Sequence, residues 1–391
     1  MSAPEPLGCR KELFSLPPGE HYLNCAYMSP LSRRVQEAGV GGIGREAAPW
    51  SISARDFFDG CDEVRRLFAR LVGSAEPERV AIIPAASYGV ATVARNAIVE
   101  RRQNVVTVHG QFPSNVHVWR RLCAESGAEL RAVAAPAGSP DRTEAWNDAL
   151  LRAIDAETAL VAVGTVDWAD GTRFDLDRIG ARAREVGAAF VVDGAQSVGV
   201  DPIDVAHLRP DALVCPAYKW LTGPYSIGVA YFGSRFDAGR PLEETWAARV
   251  GSDDFAALVS PSDAYRPGAA RYDVGEAPSF VLVPMLVAAL EQLLEWGVTR
   301  VRPYVVELAR ATLSDARLER LGIGVDPERA SHIFGLRLPA AVDPKRVQAR
   351  LAERRVHVSV RGRVIRVSPH VYNDREDVDA LLDGLAETIA P

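Results

Sequence analysis

The sequence predicts an α/β protein built around a large, mainly parallel sheet. Residues 22–294 are expected to form that domain, residues 295–391 a smaller α+β domain, and residues 1–21 to pack nearby. Three observations lead there. From residue 79 to residue 232, short apolar runs alternate with segments of helical period. That alternation stops near residue 280, where longer helices and a few β-like stretches take over. The length of 391 residues suits two domains, since single cores rarely grow past about 250–300 residues.

Each element follows from its local pattern. Residues 79–83 (RVAII) are a short apolar run, and 90–100 have helical spacing. Residues 104–109 (NVVTVH) read as a strand, 116–126 as a helix stopped by Gly127, 129–134 as a strand and 143–155 as a helix. Residues 158–166 (TALVAVGTV) are nearly all apolar. Leu176, Ile179, Ala183 and Val186 fall at helical spacing, and Gly187 supplies the stop. Residues 188–192, 212–215 and 227–232 are further buried-strand candidates. Strands without polar alternation are covered on both faces, which points to a mainly parallel sheet with ligands beyond its C-terminal strand ends. Past residue 280 the pattern predicts a helix over 283–296 with Gly297 as its stop, and a second over 303–321. An extended stretch at 332–338, a helix over 344–353, β-like stretches at 356–360 and 364–367, and a final helix over 375–389 complete it. Residues 252–268 are the loosest stretch and are expected to form a mobile loop.

Composition narrows the function. The formal charge is −6 and there is no dense basic run, which argues against nucleic acid as a partner. The longest apolar run, 280–290, contains Pro284 and is too short to cross a bilayer, so no membrane partner is expected. The first residues lack the apolar segment of a secretory signal. The five cysteines (Cys9, Cys25, Cys61, Cys123 and Cys215) are odd in number and widely spaced, which fits a reducing, cytoplasmic setting. The seven histidines form no ligand-spaced cluster, and no metal site is expected. One count is sharper. Lysine and arginine total 45, but only Lys11, Lys219 and Lys345 are lysines. Chemistry that needs a lysine amine has three candidates.

Two segments bring reactive groups to predicted strand ends. In Val191-Val192-Asp193-Gly194-Ala195-Gln196 an apolar run ends in an acid, and an amide follows three residues later. A carboxylate there is costly without a cationic partner. Taken alone, Asp193 reads equally well as a turn aspartate capping a helix. Lys219 stands 26 residues further on, in Cys215-Pro216-Ala217-Tyr218-Lys219-Trp220, after a second apolar run. Apolar flanks lower a lysine's pKa and favour the neutral, nucleophilic amine. The alternative is a snorkelling surface lysine. The apolar flanks weigh against it, and so does a chain that elsewhere prefers arginine. Lys11 lies in a polar terminal segment and Lys345 at a helix start.

Asp-Gly-Ala-Gln, then a lysine in an aromatic-rich turn before Gly223-Pro224, resembles the class V aminotransferases. These are fold-type I enzymes dependent on pyridoxal 5'-phosphate (PLP). The group includes cysteine desulfurases, isopenicillin-N epimerase-like proteins and kynureninase-like lyases. The likeness runs from Tyr22-Leu23-Asn24-Cys25-Ala26 to Arg366-Val367-Ser368 and Tyr372-Asn373-x-x-Glu376-Asp377-Val378. It implies a fold-type I PLP-dependent transferase, PLP as cofactor, a small-molecule amino-acid substrate and a homodimer. Lys219 would be the catalytic residue, holding PLP and then moving protons at the substrate α-carbon. Asp193 would pair with the protonated pyridine nitrogen and Gln196 with the phenolic oxygen. Ala86 and Ser87, at a helix start after the run 79–83, would bind phosphate, although a serine there is also an ordinary cap. Phe112 would stack on the ring where the desulfurases carry a histidine, or else be a core phenylalanine. Arg366 would grip the substrate carboxylate, with Asn24 in the same substrate site. Arg361 and Arg363 compete with it for that role. His370 reads as a structural histidine.

Several positions depart from the desulfurase pattern. Trp168 replaces an asparagine that reaches the cofactor oxygen. Pro216-x-Tyr218 replaces a Ser-x-His pair of phosphate ligands, leaving Tyr218 to supply a hydroxyl to the cofactor. Glu276 stands where a threonine binds phosphate in the neighbouring subunit, and is expected to point elsewhere. No cysteine follows Cys215, and Val360-Arg361-Gly362-Arg363-Val364 is a tight turn where desulfurases carry a nucleophilic cysteine. A persulfide mechanism is therefore not expected. The resemblance favours an aminotransferase, with a lyase (β-elimination or C–S cleavage) or an epimerase as alternatives. A cofactor-free interaction protein that kept the fold is an alternative of another class. A nicotinamide-dependent dehydrogenase would need Gly-x-Gly-x-x-Gly after its first strand.

Overall fold

The computed structural model describes residues 7–137, 141–325 and 329–389. Residues 1–6 of the N-terminal segment lie outside the described residues. The chain begins with a short strand, β1 (His21–Tyr22), and two helices, α1 (Arg33–Glu46) and α2 (Asp59–Leu71). Seven strands then build the large sheet: β2 (Val80–Ile83), β3 (Asn104–Val108), β4 (Glu129–Val133), β5 (Thr158–Gly164), β6 (Ala189–Asp193), β7 (Ala212–Pro216) and β8 (Gly228–Phe232). The intervening helices are α3 (Ala86–Asn96), α4 (His117–Ser126), α5 (Arg142–Ala153), α6 (Leu176–Glu185) and the single turn α7 (Val205–Leu208).

Strand order is β2-β8-β7-β6-β5-β3-β4. Neighbours are parallel except where β8 pairs antiparallel with β2 and β7. Side chains alternate between two cores. Ile82, Val106, Val161, Val163, Phe190, Val192 and Leu213 pack with α2 and α6 on one face. Ala81, Ile83, Val105, Leu160, Ala162, Val191 and Val214 pack with α3 and α4 on the other. Both faces are covered, which is why the strands read as continuous apolar runs. Only β4, at one edge, carries exposed charge, with Arg131 paired to Glu129 at 2.8 Å.

The C-terminal half adds α8 (Leu282–Trp296), α9 (Val298–Leu313), α10 (Ala316–Arg320), α11 (Pro344–Glu353) and α12 (Arg375–Ile389). Its strands are β9 (Gly324–Val325), β10 (Phe334–Arg337), β11 (Val356–His357), β12 (Ser359–Arg361) and β13 (Val364–Val367). An antiparallel sheet of order β12-β13-β10-β9 packs its own core, with Phe334, Leu336, Ile365 and Val367 against Leu351, Leu381 and Leu385. Strand β11 pairs instead with β1. The N-terminal segment is tied down nearby. Leu7 N–H donates to the Arg300 carbonyl, Arg10 N–H to the Val371 carbonyl, and the Lys11 ammonium sits 3.0 Å from Asp374.

Three expectations change. Helix α3 starts at Ala86 rather than at residue 90, because its buried positions begin only at Gly89 (Gly89, Val90, Thr92 and Val93) and its first three residues carry none. The helix expected over 303–321 starts at Val298 and breaks before Ala316. Gly297, at φ 75°, bends the chain by 77° straight from one helix into the next, leaving Pro303 inside α9. The stretch 356–360 splits, since its two ends pair with different strands. Residues 252–268 are held at both ends, with Val250 N–H donating to the Ala264 carbonyl and the Arg249 guanidinium 4.1 Å from the Tyr265 ring centre. Gly39, Gly41 and Gly44 do have the Gly-x-Gly-x-x-Gly spacing, but inside α1. There glycine serves packing: a Cβ on Gly42 would lie 2.2 Å from the Phe280 carbonyl oxygen. Among the described residues, no single helix is long and apolar enough to cross a membrane.

Candidate active site

The parallel strands aim their C-terminal ends at one cavity of about 300 Å³. Its walls follow directly from those ends: Ala86 and Ser87 after β2, Phe112 and Asn115 after β3, Trp168 after β5, Asp193 and Gln196 at β6, and Tyr218 and Lys219 after β7. Sheet direction, rather than sequence proximity, brings them together.

Asp193 is the last residue of β6. Its Oδ1 accepts from the Ala195 N–H at 3.0 Å and its Oδ2 from the Asn115 amide at 3.3 Å. Asn115 is fixed in turn, its Oδ1 accepting from the Trp119 indole at 2.9 Å. Burial raises the Asp193 pKa, opposed by the Ala195 N–H, the Lys219 charge and Asn115. Among the described residues no cation lies within ion-pair distance of this carboxylate.

The three lysines have three different fates. The Lys11 ammonium is paired with Asp374 and with Asp377, the latter at 3.2 Å. Lys345 is exposed at the start of α11. Lys219 is only 8 % exposed and makes no ion pair. Its Nζ lies 5.5 Å from the Phe112 ring centre and 5.7 Å from that of Tyr218. Burial lowers its pKa to about 8; Asp193 opposes this, and Arg366 and Arg361 reinforce it. The residue is an amine poised near neutrality.

Gln196 presents its carboxamide between two partners, accepting from the Trp220 indole at 3.0 Å and donating to the Ala26 carbonyl at 3.2 Å. One amide hydrogen remains for a ligand. Ala86 and Ser87 open α3, and no side chain caps that end. Phe112 is partly exposed and meets the Trp168 indole edge-on at 5.5 Å, at the cavity wall rather than in the core. The Trp168 Nε1 donates to the Gly110 carbonyl at 2.8 Å, so its indole is not free to contact a cofactor oxygen. Glu276 is exposed, and the N–H of Gly275 donates to Glu243 at 2.6 Å.

Arg366 and Asn24 lie behind the wall rather than in it. Asn24 is buried and its Oδ1 accepts from the Ser359 hydroxyl at 2.8 Å. Arg366 is 1 % exposed, and its Nη1 donates to the Trp168 carbonyl at 2.9 Å. Its Nε and Nη2 are buried with no acceptor. Burial, with Arg361 nearby, lowers its pKa to about 9. Arg363 is spent elsewhere, donating to the carbonyls of Pro339, Ala340 and Val342. His370 is fully buried, with Nδ1 accepting from the Val371 N–H and its ring stacked on Tyr372. Asn115, Gln111, Ser114, Tyr225 and Ser226 also line the cavity, although the sequence assigns a role in the segment 111–115 to Phe112 alone. The first three follow a predicted strand end, which was the available signal for them.

An uncapped helix start, a carboxylate short of a cation and an unpaired amine therefore share one cavity. These are the groups that PLP needs for its phosphate, its ring nitrogen and its aldehyde, so the residues present fit that cofactor.

Comparison with known proteins agrees. The family model for aminotransferase class-V matches residues 51–381. An uncharacterized aminotransferase of Bacillus subtilis is 27% identical over 92% of this chain and 91% of its own length. A cysteine desulfurase of Klebsiella pneumoniae is 31% identical over 66% of this chain and 61% of its own. An isopenicillin N epimerase of Streptomyces clavuligerus is 25% identical over 93% of both. Among solved structures, the apo cysteine desulfurase of Thermococcus onnurineus superposes with a TM-score of 0.83 at 22% identity, over 99% of each chain. A cystine C–S lyase in complex with cysteine persulfide gives 0.83 at 19% identity, over 94% of this chain and 98% of that one. With the fold, the cavity and the family match in agreement, the chain belongs to the class-V aminotransferases, the fold-type I enzymes that depend on pyridoxal phosphate.

Proposed function

We propose that the protein is an aminotransferase acting at the α-carbon of an amino acid or small amino-carboxylate. One observation carries this reading: an unpaired, buried amine with its pKa near 8 shares a cavity with Asp193, beside a sealed arginine that still has donors to give. When bound, PLP supplies an electron sink for the negative charge that develops at the α-carbon. Lys219 would hold the cofactor through its amine, and the same amine would take and return the proton at the substrate α-carbon. Asp193, kept in place by Asn115 and Ala195, keeps the ring nitrogen protonated. The amide of Gln196 donates to the phenolic oxygen, and Ala86, Ser87 and Tyr218 donate to the phosphate. Phe112 covers one side of the cofactor. Arg366 binds the substrate carboxylate with its two unused donors, and Asn24 supports it through Ser359.

The absence of any cysteine after Cys215 and the two-residue turn at 362–363 speak against persulfide transfer. They leave β-elimination and epimerisation as the competing outcomes. The experiment is to supply the holoenzyme with single amino acids and an oxo-acid acceptor, assaying keto acid, ammonia, sulfide and racemised product separately. Amine transfer without net ammonia supports the proposal; pyruvate and ammonia from a β-substituted substrate would replace it with a lyase. We also carry forward a two-domain division near residue 295, a cytoplasmic setting and a homodimer. Exposed Tyr27, Trp50 and Tyr225 support the last, and sedimentation tests it.

A further inference from the structure

The face of the small sheet nearest the cavity carries a second arginine. In the β12–β13 hairpin, Ser359 is paired with Arg366 and Arg361 with Val364 across the strands. Directly paired residues share a face, and so do residues two apart on one strand. Arg361 and Arg366 are therefore diagonal neighbours on one face, while Val360 and Ile365 turn to the other. The guanidinium of Arg361 lies 5.2 Å from the centre of the Trp168 ring, which lines the cavity. Its Nη1 donates to its neighbour's carbonyl, Val360, at 2.7 Å, and its Nε is buried with no acceptor.

Three guanidinium N–H positions, Nε of Arg361 with Nε and Nη2 of Arg366, thus lack an acceptor in one place. Leaving buried donors unmade is costly, and doing so on two neighbouring cations costs more. The buried guanidinium of Arg65, by contrast, meets Asp273 at 3.1 Å and the Val80 carbonyl. No carboxylate of the described residues makes an ion pair with Arg361 or Arg366. A substrate with one carboxylate neutralises one of the two.

We infer that the substrate carries a second anionic group, and that Arg361, stacked on Trp168, is the residue that selects it: an amino acid with a carboxylate at each end. This rests on the PLP-dependent reading of the cavity. Arg366 takes the α-carboxylate and Arg361 the distal one.

The test uses the holoenzyme and two acids that lack an amine and so cannot react, succinate and butyrate. Binding is followed through the visible band of the bound cofactor. Succinate is expected to bind at least about tenfold more tightly than butyrate, the worth of one charge-assisted hydrogen bond. Arg361→Gln should weaken succinate by about 10- to 100-fold and butyrate by less than about threefold. Arg361→Lys, which keeps the charge but not the planar fork, should fall between. The cofactor band reports that each variant is folded and loaded. Equal binding of the two acids, or equal loss of both in Arg361→Gln, would overturn the inference and leave the PLP reading intact. A wild-type protein that develops no cofactor band would overturn that reading, and the inference with it.

Discussion

The floor of the cavity and its roof are built on different terms. On the floor, the groups around the Lys219 amine are already held by the protein: Asp193 by Asn115 and Ala195, Gln196 by Trp220 and Ala26. These groups stand on strand ends of a sheet buried on both faces. The roof, which lies behind the Trp168 wall, carries Arg361 and Arg366 on a small sheet with its own core, and three of their N–H positions have no acceptor. The contrast teaches which part awaits a constant ligand and which a passing one. A permanent cofactor can be met by a preorganised floor. A substrate that comes and goes can complete bonds that the roof does not make within the protein.

Variants should separate the two regions, with the floor giving the larger losses. Lys219→Ala removes the only unpaired buried amine among the described residues and is expected to lower turnover by about 10³-fold or more, with loss of the visible cofactor band. Asp193→Asn keeps shape and removes charge, and kcat should fall by about 10²-fold. A drop of the same size in both chemistry and substrate affinity would blur the floor–roof distinction. At the roof, Arg366→Gln should lower kcat/KM by about 10- to 100-fold, mainly through KM. A loss confined to kcat would move Arg366 into the chemistry.

Acidity offers a gentler probe. Burial holds the Lys219 pKa near about 8, below the ordinary 10.5. The neutral amine, present above the pKa, is the form that attacks an aldehyde. Uptake of PLP by the apoprotein should therefore accelerate about tenfold per pH unit up to about pH 8 and then level off. Absorbance-followed reconstitution measures this, and a rise continuing to pH 10 would mean an unperturbed lysine. The smallest effect is expected from Trp168→Phe. It deletes the hydrogen bond to Gly110 and should cost about 1 kcal/mol in urea unfolding while leaving the fold intact.

Much of the floor was legible in the sequence because it lies at ends of continuous apolar runs. Asp193 and Lys219 each close or follow such a run, and the α/β alternation points to where they meet. The antiparallel sense of β8 was not legible, since a strand buried on both faces reads the same in either direction. Helix α1 is hard to read because four glycines dilute its periodicity; Gly39 and Gly42 are required by the close approach of Met285 in α8 and of Phe280 just before it. The roof was harder. Arg361, Arg363 and Arg366 lie within six residues, and only three-dimensional partners tell a structural clamp (Arg363) from donors left waiting (Arg361 and Arg366). Asn115 was hidden for a similar reason: its value comes from a carboxylate 78 residues away.

The N-terminal strap has a mechanical consequence. Through Leu7, Arg10, Lys11 and β1, residues 7–22 are bonded to the C-terminal elements that accompany the small sheet. The polypeptide therefore passes from these contacts to the helices that cover the large sheet once, before α1, and leaves them once, at the Gly297 bend. A part joined at one point can swivel in any direction. A part joined by the backbone at two points is constrained by both, so the small sheet does not hang from the large one by a single flexible link.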